Sequence, residues 1–294
     1  MSTLDPMSQT TTTFPAEPSD AMLARTARGK LVAAASTIWD HVLGRKMSLR
    51  LERIILPTLR WNQEVYATWL MKYVNETTRW LDAGCGHRLL PPDFEILERS
   101  LIHKARLAIG IDVDACSLKS HKTLPSRLCG SLDSLPFPDG AFDLVTCNMV
   151  VEHLPDPANT FRELGRVLRP GGVLLVHTPN VWNYAVSMAR VIKAVVPRKL
   201  VLKLINWSEE RKTEDIFPTF YRANSRTAIR RQLGHIGFDC ERCEMLVGPQ
   251  PILRSLAPVA LCELLLMRAT MLRPLTPFAT TMLISFRRQE AAGC

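Results

Sequence analysis

Between residues 79 and 179, short and nearly continuous apolar runs alternate with stretches of helical periodicity, and that alternation leaves few folds open. RWLDAGCG (79–86), RLAIGIDVD (106–114), SRLCGS (126–131), FDLVTCNMV (142–150) and GGVLLVHTP (171–179) read as strands. PDFEILERSLIH (92–103), DACSLKSHKTL (114–124) and DPANTFRELGRVL (156–168) carry apolar residues at helical spacing. A strand that is apolar on both of its alternating faces must be covered on both, which parallel strands joined by crossover helices achieve. After an interruption the pattern resumes with a helix over 225–237 ended by Gly237, and with strands over 238–246 and 280–288. The fold class predicted is α/β, a doubly wound, mostly parallel seven-stranded sheet with helices on both faces.

The flanks differ from this core. Residues 1–20 are rich in Ser, Thr and Pro with neither a basic start nor an apolar run, which predicts a disordered tail rather than a secretory signal, and a cytoplasmic protein. Residues 21–78 read as an N-terminal helical extension, 79–180 as the ligand-binding core, and 181–223 as a lid-like insertion beside that core. Residues 224–294 complete the sheet, with an apolar helical insert at about 250–279. The longest apolar stretch there, Leu256 to Met267, is far shorter than the roughly 20 residues needed to cross a bilayer.

Charge is unevenly placed. Of the net +9, residues 179–294 carry 17 Lys/Arg against 9 Asp/Glu, so the basic excess lies in the C-terminal part and favours an anionic partner. The 8 cysteines are scattered, which is the usage of a reducing compartment rather than of a disulfide framework. Cys240 and Cys243, three apart in a strand, are expected on opposite faces and so suit a shared metal poorly. No metal site is predicted.

Two features carry chemistry. Asp82-Ala83-Gly84-Cys85-Gly86 ends the first strand in a turn that brings backbone close to a ligand without side-chain clash. A dinucleotide turn would place a third glycine three residues after Gly86, where this chain has Leu89. The second strand ends in Asp112, placed to accept hydrogen bonds from both hydroxyls of a ribose, at about 1.5–3 kcal/mol each.

With LDAGCG (81–86), GIDVD (110–114), LPFPDGAFDLV (135–145), VVEHLPDP (150–157) and FRELGRVLRPGGVLLVHTPN (161–180) in that order, the chain resembles the Rossmann-like S-adenosylmethionine-dependent methyltransferases, in their broad small-molecule group. The resemblance covers about a hundred residues. It implies S-adenosyl-L-methionine as cofactor, with Asp82, Ala83, Gly84, Cys85 and Gly86 facing its methionine part. It also implies Asp112 and Val113 at the ribose, Ser131 and Leu132 beside the adenine, and Asn148 near the methionine moiety. Ser131 stands where many relatives have an acid; either Asp133, two residues on, substitutes for it or backbone groups alone read the adenine. Glu152 and His153, just beyond the fourth strand, are the candidates for a general base, against a purely structural reading of the Glu-His-Leu signature. Tyr184, Tyr221 and Trp182 fall in the segment that lines the acceptor side in this fold.

The acceptor is read mainly by exclusion. The place after the fourth strand reads NMVVEH rather than the Asn/Asp-Pro-Pro-aromatic loop of base-nitrogen methylation, and no Pro-Cys pair exists for cytosine C5 chemistry, so DNA is disfavoured. RNA stays open without a recognisable RNA-binding module. The leading reading is methyl transfer to an oxygen, nitrogen or carbon of a small or lipid-like biosynthetic intermediate. An RNA methyltransferase and a non-catalytic binding protein of the same fold stand as alternatives. The basic apolar segments at 186–205 and 250–279 read either as peripheral membrane helices or as an ordinary lid.

Overall fold

The computed structural model describes residues 45–183, 217–248 and 257–290. The expected tail, the first part of the helical extension, Tyr184 and the segment 186–205 lie outside the described residues. In chain order the elements are α1 (Arg45–Ile55), α2 (Asn62–Tyr73), β1 (Arg79–Ala83), α3 (Glu95–Lys104), β2 (Leu107–Asp112), α4 (Ala115–Ser120) and β3 (Ser126–Cys129). There follow β4 (Phe142–Asn148), α5 (Pro157–Val167), β5 (Leu168–Pro179), α6 (Arg226–Gly234), β6 (Phe238–Leu246), α7 (Ala257–Thr270) and β7 (Thr281–Arg288). The seven strands form one sheet in the order β3-β2-β1-β4-β5-β7-β6. β1 to β5 pair in parallel, and β7 runs antiparallel between β5 and β6. The order reverses between β1 and β4, and a crevice opens at the carboxyl ends of the strands at such a switch point.

Local chemistry sets the helix starts. Asp156 caps α5 by accepting from Asn159 N at 3.2 Å with Pro157 in the first turn, Ser225 caps α6 from Ala228 N at 3.2 Å, and Asp114 caps α4 from Cys116 N at 2.9 Å. One face of the sheet packs Leu81, Val145, Leu174 and Ile284 under Phe161 and Leu164 of α5 and Ile229 and Leu233 of α6. The other packs Trp80, Leu144, Leu175 and Leu283 under Tyr66, Trp69 and Leu70 of α2 and Leu101 of α3. The last part of the N-terminal extension is thus built into the sheet's cover. α1 lies on α7, with Leu56, Leu264 and Met267 buried between them.

One expectation is overturned. A bulge between Cys240 and Arg242 shifts the β6 register against β7, and both Cys240 and Cys243 pack on the same buried face. The extra residue cancels the alternation that would have separated them. Among the described residues no helix is long and apolar enough to cross a membrane.

Candidate active site

The turn after β1 is shaped by backbone bonds to β2. Gly84 N and Cys85 N both donate to Ile111 O, at 2.8 and 3.2 Å, and Gly84 (φ +78°) and Gly86 (φ +51°) take the left-handed conformation that L side chains resist. A Cβ on Gly84 would come within 2.4 Å of Val150 Cγ2, whereas one on Gly86 would meet nothing within 4 Å. Gly84 therefore serves packing, and Gly86 leaves open space for a ligand. Asp112 locks the turn from the far side: Oδ2 accepts from Gly86 N at 2.8 Å and Oδ1 from Asp114 N at 2.8 Å. Each carboxylate oxygen keeps accepting capacity for a hydroxyl.

Above this turn lies a cleft of about 400 Å³, lined by Gly84, Gly86, Asp112 and Val113 on one side and by Ser131, Leu132 and Asp133 at one end. Met149, Val150, His153, Leu154, Pro155, Phe217 and Pro218 close it. The structure thus brings Gly84, Gly86, Asp112, Val113, Ser131, Leu132 and His153 together around one space. Asp133 Oδ1 accepts from Thr160 Oγ1 on α5, and Ser131 Oγ accepts from Asp133 N at 3.2 Å, so this end is a turn fixed by its own side chains. Among the described residues no Lys or Arg lines the cleft, and Asp112 and Asp133 there favour a cationic ligand over a phosphate.

The remaining sequence candidates lie beside or beneath the cleft. Asp82 is buried and accepts from Thr146 Oγ1, which in turn accepts from Trp80 Nε1 at 2.7 Å, and burial pushes its carboxyl up to about 7. Ala83 is buried in β1, and the Cys85 thiol, also buried, fills the space a side chain on Gly110 would need. Asn148 is committed elsewhere: it exchanges amide hydrogen bonds with Gln63 at 3.1 and 3.3 Å, donates to Leu89 O at 3.2 Å and accepts from His177 Nδ1 at 2.8 Å. His177 Nε2 lies 3.4 Å from Thr281 Oγ1, and burial lowers this imidazole to about 4, so the network is neutral. Its members come from α2, β4, β5 and β7.

Glu152 and His153 point to different tasks. Glu152 is buried, its Oε2 accepts from Thr178 Oγ1 at 2.9 Å, and burial raises its pKa. Its carbonyl accepts from Phe220 N at 2.8 Å and Tyr221 N at 3.2 Å, which holds the 217–221 segment over the cleft. His153 lines the cleft, and its Nδ1 donates to Pro218 O at 2.9 Å. That bond fixes the tautomer and leaves the Nε2 lone pair of the neutral ring free to take a proton. Nε2 stands 3.9 Å from Glu152 Oε1. Tyr221 (φ +53°) contributes to the lip through its backbone and does not line the cleft. Sequence reasoning missed Met149, Leu154, Phe217 and Pro218; the last two sit more than sixty positions from His153 (65 for Pro218), a pairing no local pattern announces.

A parallel sheet with a reversal at β1/β4, a glycine turn and an acid ending β2 defines a nucleoside-binding α/β domain. A family model for a methyltransferase domain matches residues 81–176. An uncharacterized methyltransferase of Schizosaccharomyces pombe is 37% identical over 122 residues, covering 37% of this chain and 42% of the relative. A probable S-adenosylmethionine-dependent methyltransferase of Mycolicibacterium smegmatis is 41% identical over 104 residues, covering 34% and 37%. A ubiquinone biosynthesis O-methyltransferase of Sodalis glossinidius is 30% identical over 130 residues, covering 40% and 49%. The chain thus spans less than half the length of these relatives. The core of the chain is a class I S-adenosylmethionine-dependent methyltransferase domain, and S-adenosylmethionine is its cofactor.

Proposed function

We propose that the chain transfers a methyl group from S-adenosylmethionine to an oxygen, nitrogen or carbon of a small, largely apolar acceptor. The observation that carries this reading is the continuity of one cleft from Gly86 and Asp112 to His153 and Phe217. The residues present fit the cofactor: Asp112, with Val113 beside it, would hold the ribose hydroxyls, Ser131 and Leu132 would flank the adenine, and the backbone at Gly84 and Gly86 would border the methionine part. Asp112 and Asp133, with no Lys or Arg among the described lining residues, favour a cationic cofactor over a phosphate.

When bound, the cofactor supplies an already activated methyl group, so alignment is the protein's main task, and in well-oriented systems it is worth about 7–11 kcal/mol. Met149, Val150, Leu154, Phe217 and Pro218 wall the acceptor side with apolar surface that excludes water and suits a greasy ring or chain. The name of the Sodalis relative, which acts in ubiquinone biosynthesis, supports an acceptor of that character. His153 Nε2 takes the proton of an acceptor that binds as a hydroxyl or ammonium group, and Pro218 O holds the ring in the tautomer that allows it. Glu152 positions that arrangement by holding the lip through its carbonyl.

The test is transfer of isotope-labelled methyl from the cofactor into a panel of phenolic, amine and prenylated acceptors. Label should enter an organic-extractable product, and His153→Ala should lower turnover about 10²–10⁴-fold with cofactor affinity unchanged. Bound cofactor with no label in any acceptor would support the non-catalytic reading instead. Undiminished turnover of the variant across pH would remove His153 as the base.

A further inference from the structure

α7 divides its residues between two environments but not between two chemistries. Leu264 and Met267 are buried against α1 and the sheet and Ala260 is buried too, while Leu261, Leu265, Leu266 and Arg268 of the same helix are exposed. An ordinary surface helix turns charged and polar residues outward; here the outward face is leucine. The apolar surface continues past the helix through Leu272, Leu275 and Phe278, exposed at 59%, 38% and 47%. Single exposed leucines are common, but successive exposed apolar residues along one helix and the turn after it mark a contact surface.

Among the described residues of α1, α7 and the 272–278 segment, the exposed charges are of one sign. Arg268 and Arg273 are exposed on it, Arg50 and Arg53 are exposed on the adjoining α1, and none of the four is paired with a carboxylate among the described residues. The stretches 45–59 and 257–280 contain only two acids, Glu52 and Glu263, and neither is exposed. Leucine and phenylalanine flanked by arginine, with no exposed carboxylate in the described stretches 45–59 and 257–280, match an anionic lipid surface in both apolar character and charge.

The position of the face gives it a use. Thr281 at the start of β7 pairs with Pro179 at the end of β5, so the segment that carries Leu272 to Phe278 lies at the carboxyl edge of the sheet, where the cleft opens. Asn180 ties it there through Nδ2, which donates to Pro277 O at 2.7 Å and Ala279 O at 2.8 Å. Trp182, two residues further on, is 61% exposed at the same edge, and indole favours a membrane interface.

We propose that the exposed face of α7 and the 272–278 segment dock on an anionic phospholipid membrane, placing the acceptor end of the cleft beside the bilayer. The inference rests on the reading of an apolar acceptor for its purpose, while the docking itself is measured without the reaction. The purified full chain is floated with phosphatidylcholine vesicles with and without phosphatidylglycerol, and cofactor affinity is measured on the same preparations.

The chain should float with the phosphatidylglycerol vesicles. Leu265→Asp with Leu272→Asp should weaken vesicle affinity about a hundredfold, as expected for two leucines withdrawn from an apolar phase. Arg268→Gln with Arg273→Gln should weaken it about thirtyfold, and added salt should mimic that loss. All variants should melt as wild type and keep the cofactor affinity. Wild-type chain that stays with the pellet, or leucine variants that float as wild type, would overturn the proposal. A dimer in sedimentation that the leucine variants dissolve would also overturn it, in favour of a second copy on this face. A chain that floats but binds no cofactor would retire the methyltransferase reading and leave the docking intact.

Discussion

On the cofactor side of the cleft, Gly84, Gly86 and Asp112 are fixed by bonds between two neighbouring strands, and Gly86 N and Asp112 Oδ2 are 26 positions apart. On the acceptor side, His153 is fixed by Pro218 across 65 positions, and beside the cleft Asn148 is fixed by Gln63 across 85. The first side is a property of one βαβ unit and its turn. The second exists only when α2, the 217–221 segment and β7 have come together around the end of β4. A cofactor site of the first kind tolerates many flanks, whereas a site of the second kind changes with them, which is how one fold serves many acceptors.

The contrast can be broken at single positions. Gly84→Ala sets a Cβ against Val150 in a left-handed backbone and should cost about 2–5 kcal/mol. Gly86→Ala, with open space around it, should cost only the backbone penalty of about 1–2 kcal/mol while weakening the cofactor. Equal melting temperatures for the two variants would contradict the division of labour between these glycines.

Asp82 tests the floor of the cofactor side. Its folded value of about 7 lies above the ordinary 3.8, so between those values the folded chain holds more proton than the unfolded one. Stability is therefore lost as pH rises from about 4 to about 7, by up to about 4 kcal/mol. Asp82→Asn keeps an oxygen for Thr146 and should flatten that fall in a pH series of denaturant titrations; parallel curves would refute it. The smallest effect belongs to the long-range network beside the cleft, where Gln63→Ala should cost about 1 kcal/mol and leave cofactor affinity unchanged. A large loss of cofactor affinity in that variant would erase the distinction between the two sides.

Legibility in the sequence follows the same division. The five parallel strands, their helices, the glycine turn and Asp112 were readable because periodicity, caps and turn residues are local. Seven of the site candidates gather around the cleft, yet Asn148 and Glu152, which the motifs place beside it, are turned into buried networks with Gln63, His177 and Thr178. The bulge that puts Cys240 and Cys243 on one face depends on how β6 meets β7 and leaves no mark on either strand alone. Phe217 and Pro218 could have been found only by knowing that Glu152 O would hold the segment after them.

The most direct measurement is calorimetric titration of the purified chain and of Asp112→Ala with S-adenosylmethionine and S-adenosylhomocysteine. Saturable binding by wild type, and a loss in the variant of at least about a hundredfold with the fold retained in its circular dichroism, is the predicted result, since two charge-assisted bonds to the ribose would be gone. Equal affinity in the two proteins, or no binding by the folded wild type, would contradict the account.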